Sequence, residues 1–270
     1  MKLIDILKYV LLGVIQGFTE PLPISSSGHL FIFKKVFNLN VLNDLNFEII
    51  VNFGSLIAIL ILYREKLIKL IKEFFLYIKT SKKEYKESFK YCLLIVVATI
   101  PAGICGILFK DVIEKYFSSI KYVGVALLVT ALFLFLVRNI NGSKSDKDIT
   151  LKDAIIIGLC QAVALLPGIS RSGSTLVGGL KQDLKKDTAI DFSFMLYIPI
   201  SIATMILGIS DIIRTPNIKT YLLPYFLGMI SSLVVTYFTF RLFKDLVRKN
   251  KMIYFVIYCL IVGTLVLLFL

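Results

Sequence analysis

Tryptophan is absent from this sequence, histidine occurs once and cysteine only four times. Without Trp, the amphipathic aromatic that marks a membrane–water boundary has to be Tyr. The cysteines, Cys92, Cys105, Cys160 and Cys259, lie singly in apolar runs. They have no metal-ligand spacing and give no sign of a disulfide framework, so they read as small hydrophobes. Acidic residues are scarce as well, 18 against 31 Lys and Arg, for a net charge of +13. The basic residues flank long apolar runs and form no soluble patch, which argues against nucleic acid and suits anionic headgroups. No cleavable leader is expected, because the first apolar run is short and flows into a polar motif.

What is present is hydrophobic: 57% of the 270 residues, with a mean hydropathy of +0.83. Soluble domains are about 45–50% apolar, so the composition implies an all-α integral membrane protein. Short loops leave no room for a soluble module. The chain is read as one membrane domain, 1–270, made of halves at roughly 1–140 and 150–270.

Two polar interruptions organise it. Residues 16–29 read Q-G-F-T-E-P-L-P-I-S-S-S-G-H, and 161–175 read Q-A-V-A-L-L-P-G-I-S-R-S-G-S-T. An ungapped offset of 145 (158 − 13) lays Gly13 on Gly158, Gln16 on Gln161, Ser25 on Ser170, Ser27 on Ser172 and Gly28 on Gly173, with Ser26 meeting Arg171. This is an internal repeat. Interrupted apolar segments at matching places in two halves point to a binding site.

Residues 3–18 are too short to cross comfortably, Pro21 and Pro23 break them, and 29–37 are a second short apolar piece. That pattern predicts a hairpin that enters and leaves on one side, with a second at 154–180. About six full spans are expected, near 47–63, 91–109, 121–138, 189–209, 221–240 and 252–270. Pro101 and Pro199 would kink theirs. Residues 64–90, rich in Lys with Leu67, Leu70, Ile71, Phe74, Phe75 and Ile78 on one face, predict an amphipathic surface helix. By the positive-inside rule this stretch and the basic loops 139–153 and 241–251 are cytoplasmic, and 210–220 is external. Three spans separate the hairpins, an odd number, so the repeats should be inverted and their hairpins should meet near the midplane.

Gln16 and Glu20 are four apart and share a helix face, as do Glu48 and Asn52. A carboxylate at membrane depth needs a partner, and Arg171 or a metal ion or phosphate bridging the two would serve. Ser25, Ser26, Ser27, Ser170 and Ser172 precede or open returning half-helices. There serine caps free N–H groups, and the same groups bind phosphate. With Arg171 they describe an oxyanion cage, to which Gly28, Gly168 and Gly173 would admit a ligand closely. His29, three residues after Ser26, could exchange a proton with that hydroxyl or with a leaving phosphate. The alternative is that the serines are only caps and the glycines only packing residues.

The motif G-V-I-Q-G-F-T-E-P-L-P-I-S-S-S-G-H, together with P-G-I-S-R-S-G-S-T, closely resembles the bacterial undecaprenyl-diphosphate phosphatase (bacitracin-resistance) family. F-E-I-I-V-N-F-G-S at 47–55 and F-S-F-M-L-Y-I-P at 192–199 are similar to it too. The resemblance implies interlocked inverted repeats with re-entrant hairpins and a dimeric enzyme of the bacterial cell membrane. Its site would open on the extracytoplasmic side, and it would release phosphate from undecaprenyl diphosphate, recycling the cell-wall lipid carrier and conferring bacitracin resistance. It implies Ser26 as nucleophile, Glu20 as essential acid, His29 in proton transfer and Arg171 on the diphosphate. Ser25, Ser27, Ser170, Ser172, Thr175, Gly168 and Gly173 would form the phosphate surroundings. A divalent cation, Mg²⁺ or Ca²⁺, would sit at Glu20. Many members carry Glu where this chain has Gln16, which weakens that expectation unless Glu48 compensates. The rival class is a lipid-phosphate flippase or anion transporter on the same broken-helix repeat.

Overall fold

Where the polar motifs interrupt the apolar runs, the helices stop and restart. The computed structural model describes residues 3–37, 45–117, 119–214 and 218–270. Among these residues there are twelve α-helices and no strand, only an isolated bridge between Lys144 and Leu184. In chain order they are α1 (Leu3–Thr19), α2 (Ser26–Val36), α3 (Leu45–Leu62), α4 (Arg64–Thr80), α5 (Lys86–Leu108), α6 (Lys110–Phe117), α7 (Ile120–Val137), α8 (Leu151–Val163), α9 (Arg171–Lys181), α10 (Lys186–Arg214), α11 (Ile218–Arg248) and α12 (Ile253–Phe269).

Helices α5, α7, α10 and α11 are long and apolar enough to cross a membrane, and α3 with α4 qualifies as a pair bent by 75°. At about 1.5 Å per residue, the 17 residues of α12 reach somewhat less than a 30 Å hydrocarbon core. Large apolar side chains such as Ile107, Leu207 and Phe238 face outward. In an aqueous protein that surface would be a liability. In a multi-pass membrane protein it is the lipid contact.

The predicted breaks lie at 20–25 and 164–170, and the helices that follow them, α2 and α9, start 145 residues apart and are the same length. Pro101 and Pro199 sit inside α5 and α10, and Pro224 sits inside α11, which the sequence reading did not mark. The single surface helix expected at 64–90 is instead α4 followed by a turn. Ser81, at φ 53, takes the left-handed conformation that ends a helix. Ile71, Phe75 and Ile78 of its apolar face are exposed, whereas Phe74 stacks on Phe89 of α5. The basic segment 241–251 is mostly the end of α11 rather than a loop. The centre of the expected external loop, 215–217, lies outside the described residues.

The first helix of each short pair packs on a long helix distant in sequence: α1 on α11, and α8 on α5. Glycine makes both approaches possible. A Cβ on Gly17 would lie 2.5 Å from the Ser232 carbonyl oxygen, and one on Gly158 would lie 2.4 Å from that of Ala98. Close backbone approach at small residues is how helices associate where no hydrophobic force separates protein from solvent. Buried hydroxyls add to it. Ser232 donates to the Val51 carbonyl (2.7 Å), Thr236 donates to Ser55 (2.9 Å), and Ser55 and Ser232 share a bond of 2.9 Å. Asp191 accepts from Tyr63 (2.9 Å), Lys66 (3.2 Å) and Lys244 (3.1 Å), tying α4 and the residue between α3 and α4 to α10 and α11.

Candidate active site

Glu20 follows the last residue of α1, its N–H still bonded to the Gln16 carbonyl at 2.8 Å. Pro21 and Pro23 cannot continue the helix, so the carboxylate stands at the rim of the break, 8% exposed. Three donors converge on it. Ser26 Oγ donates to Oε2 at 2.5 Å and Gln16 Nε2 donates to the same oxygen at 2.8 Å. Arg171 Nη2 donates to Oε1 from the other half of the chain. The guanidinium lies 4.3 Å from the centroid of the Tyr197 ring, a cation–π contact that fixes its plane. Tyr197 in turn donates to the Asn52 carbonyl at 3.1 Å.

The two serine motifs are built alike. Ser25 Oγ accepts from Gly28 N–H (3.2 Å) and lies 3.5 Å from Ser27 Oγ. Ser170 Oγ accepts from Gly173 N–H (3.1 Å) and lies 3.3 Å from Ser172 Oγ. Ser172 Oγ also crosses to the Leu22 carbonyl at 3.1 Å. The breaks differ in where they place the left-handed residue: Ser25 itself, at φ 70, in the first and Gly168, at φ 89, in the second. A serine held there is strained, a condition that clusters at functional sites. Both motifs line one pocket of about 260 Å³, with Glu20, Ser26, Asn52, Gln161 and Arg171 in its wall.

Of the residues singled out in the sequence, Glu20, Ser25, Ser26, Ser27, Ser170, Arg171 and Ser172 line this pocket. Gln16 reaches the site through its bond to Glu20 without lining the pocket, and the others stand apart. His29 is buried against α12, with Nε2 2.7 Å from Tyr258 Oη and Nδ1 2.7 Å from the Ser25 carbonyl. A carbonyl can only accept, so Nδ1 carries the proton and Nε2 accepts from the tyrosine. Neither nitrogen bonds Ser26. Thr175 bonds the Arg171 carbonyl (2.9 Å) and Ser193. Gly168 packs on Val123 and Ala126, and Gly173 packs on Pro23. Glu48 is ion-paired with Lys34 at 2.6 Å. Asn52, placed by its spacing on one helix face with Glu48, lines the pocket although Glu48 does not, and Gln161 and Tyr197 are the site residues that the sequence reading passed over or left without a role. Their signal was present in the offset, since 52 and 197, like 16 and 161, are separated by 145.

Comparison with known proteins identifies relatives along the whole chain. A protein named undecaprenyl-diphosphatase 2 from Bacillus thuringiensis (strain Al Hakam) is 46% identical over 265 residues, covering 98% of each chain. Undecaprenyl-diphosphatase 1 of Bacillus licheniformis is 44% identical over 270 residues, the whole of both chains. The undecaprenyl-diphosphatase of Oceanobacillus iheyensis is 45% identical over 267 residues, 98% of this chain and 97% of its own. The family model described as bacitracin resistance protein BacA matches residues 9–265, and the chain therefore belongs to that family.

Proposed function

We propose that this protein is the phosphatase that its relatives' names describe, hydrolysing undecaprenyl diphosphate to undecaprenyl phosphate and phosphate. One observation carries the reading. A hydroxyl from one half of the chain and a guanidinium from the other occupy opposite oxygens of a single buried carboxylate, inside a pocket rimmed by two helix N-termini. That is the equipment of phosphoryl transfer, a nucleophile beside a base and a cation beside free N–H groups.

In the proposed reaction Ser26 Oγ attacks the terminal phosphorus and its proton passes to Glu20 Oε2. The bond from phosphorus to the bridging oxygen breaks, and the electron pair leaves with the lipid phosphate. Arg171 and the N–H groups opening α2 and α9 hold the charge on the transferring group. Glu20 passes that proton to the departing lipid phosphate; water then attacks the phosphorus of the phosphoserine, and Glu20 takes its proton and returns it to Ser26 Oγ as the phosphorus–Oγ bond breaks and phosphate leaves. His29, bonded away from the pocket, orders the turn at Ser25 rather than touching the phosphate. Such an enzyme recycles the cell-wall lipid carrier, which is how it would confer bacitracin resistance.

A divalent cation fits the chain's own donors poorly. Glu20 is the one carboxylate lining the pocket among the described residues, and Arg171 already balances its charge. Glu48, paired with Lys34, stands elsewhere. No step is routed through a metal.

The architecture that goes with this reading is an inverted repeat. The α1–α2 and α8–α9 pairs would be re-entrant hairpins, and α3, α5, α7, α10, α11 and α12 the six spans. The matched lengths of α2 and α9 and the reciprocal packing of α1 on α11 and α8 on α5 support it. The protein would sit in the bacterial cell membrane as a homodimer with Asp191 and its lysines on the cytoplasmic side and the pocket open to the outside.

The test is phosphate release from a prenyl diphosphate by purified protein. Wild type is expected to turn over, and Ser26→Ala and Arg171→Ala to lose at least a thousandfold. A wild type that bound the lipid and released no phosphate would overturn the reading in favour of a carrier.

A further inference from the structure

Gln161 is 2% exposed and lines the pocket, yet neither its amide nitrogen nor its amide oxygen has a hydrogen-bond partner. Its repeat counterpart, Gln16, is equally buried but donates to Glu20. The sequence explains the difference. Adding 145 to position 20 gives 165, and Leu165, another pocket residue, stands where the matching carboxylate would be. The second half thus keeps the amide and omits its partner. A buried primary amide left unpaired costs free energy, and folded proteins leave few such groups. In a pocket, the missing bonds are supplied by what enters it.

The charge on that side of the pocket indicates what enters. None of the lining residues from the second half is acidic, and Arg171 is among them. Ser170 caps α9, a helix of 11 residues, so the free N–H groups and positive dipole end of that helix open beside Arg171. The first half carries the carboxylate and the candidate nucleophile, and the second half carries the cation and an unengaged amide.

We infer that Gln161 is a further ligand of the phosphate subsite at Arg171 and the N-terminus of α9, holding there the lipid-side phosphate of a prenyl diphosphate while the terminal phosphate lies at Ser26. The assignment of which phosphate reacts rests on the phosphatase reading above; the existence of the subsite does not. Gln161 Nε2 donates to an oxygen of the lipid-side phosphate. When the bond from the terminal phosphorus to the bridging oxygen breaks, the electron pair departs on the group that Gln161 and Arg171 hold. A donor there binds the diphosphate and stabilises the leaving charge. The repeat has been divided between two tasks, attack in one half and grip on the leaving group in the other.

Gln161→Met keeps the side chain's length and bulk and removes both amide atoms. Gln161→Glu keeps the shape and adds a negative charge facing the ligand. Each would be made in a Ser26→Ala background for binding and in wild type for turnover. Binding of inorganic diphosphate and inorganic monophosphate would be measured by calorimetry. Gln161→Met should lose about tenfold in diphosphate affinity, with monophosphate binding little changed, and Gln161→Glu should lose more. With farnesyl diphosphate, kcat/KM should fall by a similar factor, while the melting temperature stays level or rises because an unsatisfied amide has gone. If the preference for diphosphate over monophosphate survives both substitutions, Gln161 holds no phosphate and the inference falls, whatever happens to turnover. If wild type releases no phosphate but the preference collapses in Gln161→Met, the phosphatase reading falls and the subsite stands.

Discussion

Glu20 and Arg171 make a pair whose two roles can be separated. The carboxylate side chain is 6% exposed and the guanidinium 24%, so the bridge is largely withdrawn from solvent. Removing one member of such a pair leaves the other charged and unmatched, which costs about 3–5 kcal/mol. Here the lower end applies, because Arg171 keeps Tyr197 beneath it and some contact with water. Glu20→Gln should therefore destabilise by about 3 kcal/mol, and at about 2–4 °C per kcal/mol for a chain of this size the melting temperature should drop by roughly 6–12 °C. Arg171→Met should do much the same. The double variant Glu20→Gln, Arg171→Met leaves no stranded charge and should recover most of the loss, giving a coupling of about 2 kcal/mol or more. Activity should not recover, because base and cation are both gone. Thermal unfolding of the purified protein in one detergent, beside phosphate release, reads both quantities. Strictly additive losses in stability would refute the assignment of this contact as a buried ion pair.

Other consequences can be checked with the same assays. Ser26→Ala should abolish phosphate release while lowering stability by only about 1 kcal/mol, since one hydrogen bond to Glu20 is lost; trapping radioactive phosphate on Ser26 of wild type in a single turnover checks the covalent step. Tyr258→Phe removes the donor to buried His29 Nε2 and should cost about 1–3 kcal/mol, with activity less affected than by Ser26→Ala. Gly158→Ala drives a methyl into the Ala98 carbonyl and should destabilise by about 1–3 kcal/mol, Gly158→Val by more, read as lost folded yield. Glu48→Gln breaks the bridge to Lys34 and should cost stability of about 1 kcal/mol without altering any dependence of turnover on added Mg²⁺ or Ca²⁺.

Much of this was legible in the sequence because it depended on backbone chemistry. Pro21, Pro23 and the serines before α2 and α9 dictate where helices stop and restart, and an offset of 145 relates the two places. The pairing of Glu20 with Arg171 followed from the cost of isolated charge in an apolar setting. The orientation of His29 did not follow. Three-residue spacing suggested a common face with Ser26, but the left-handed turn at Ser25 presents that residue's carbonyl to the ring, and Tyr258, 229 positions away, takes the other nitrogen. Nor could spacing show that Tyr197 lies under the guanidinium, because that contact depends on how α10 sits against α9. The unpaired amide of Gln161 was half visible. The repeat displayed Leu165 in place of a carboxylate, but only packing reveals that no other group fills the gap.

The reciprocal docking of α1 on α11 also sets a timetable for biosynthesis. From Thr19 to Ile218 the chain runs 199 positions, so at roughly 5–20 residues per second α1 waits some 10–40 s for α11 to begin to leave the ribosome. For the first 152 of those positions, up to Arg171, Glu20 has no cation to pair with, and for all of them the groove beside Gly13 and Gly17 is empty, which makes the nascent N-terminal half a natural client for insertase or chaperone, and a truncated chain a natural target for proteolysis.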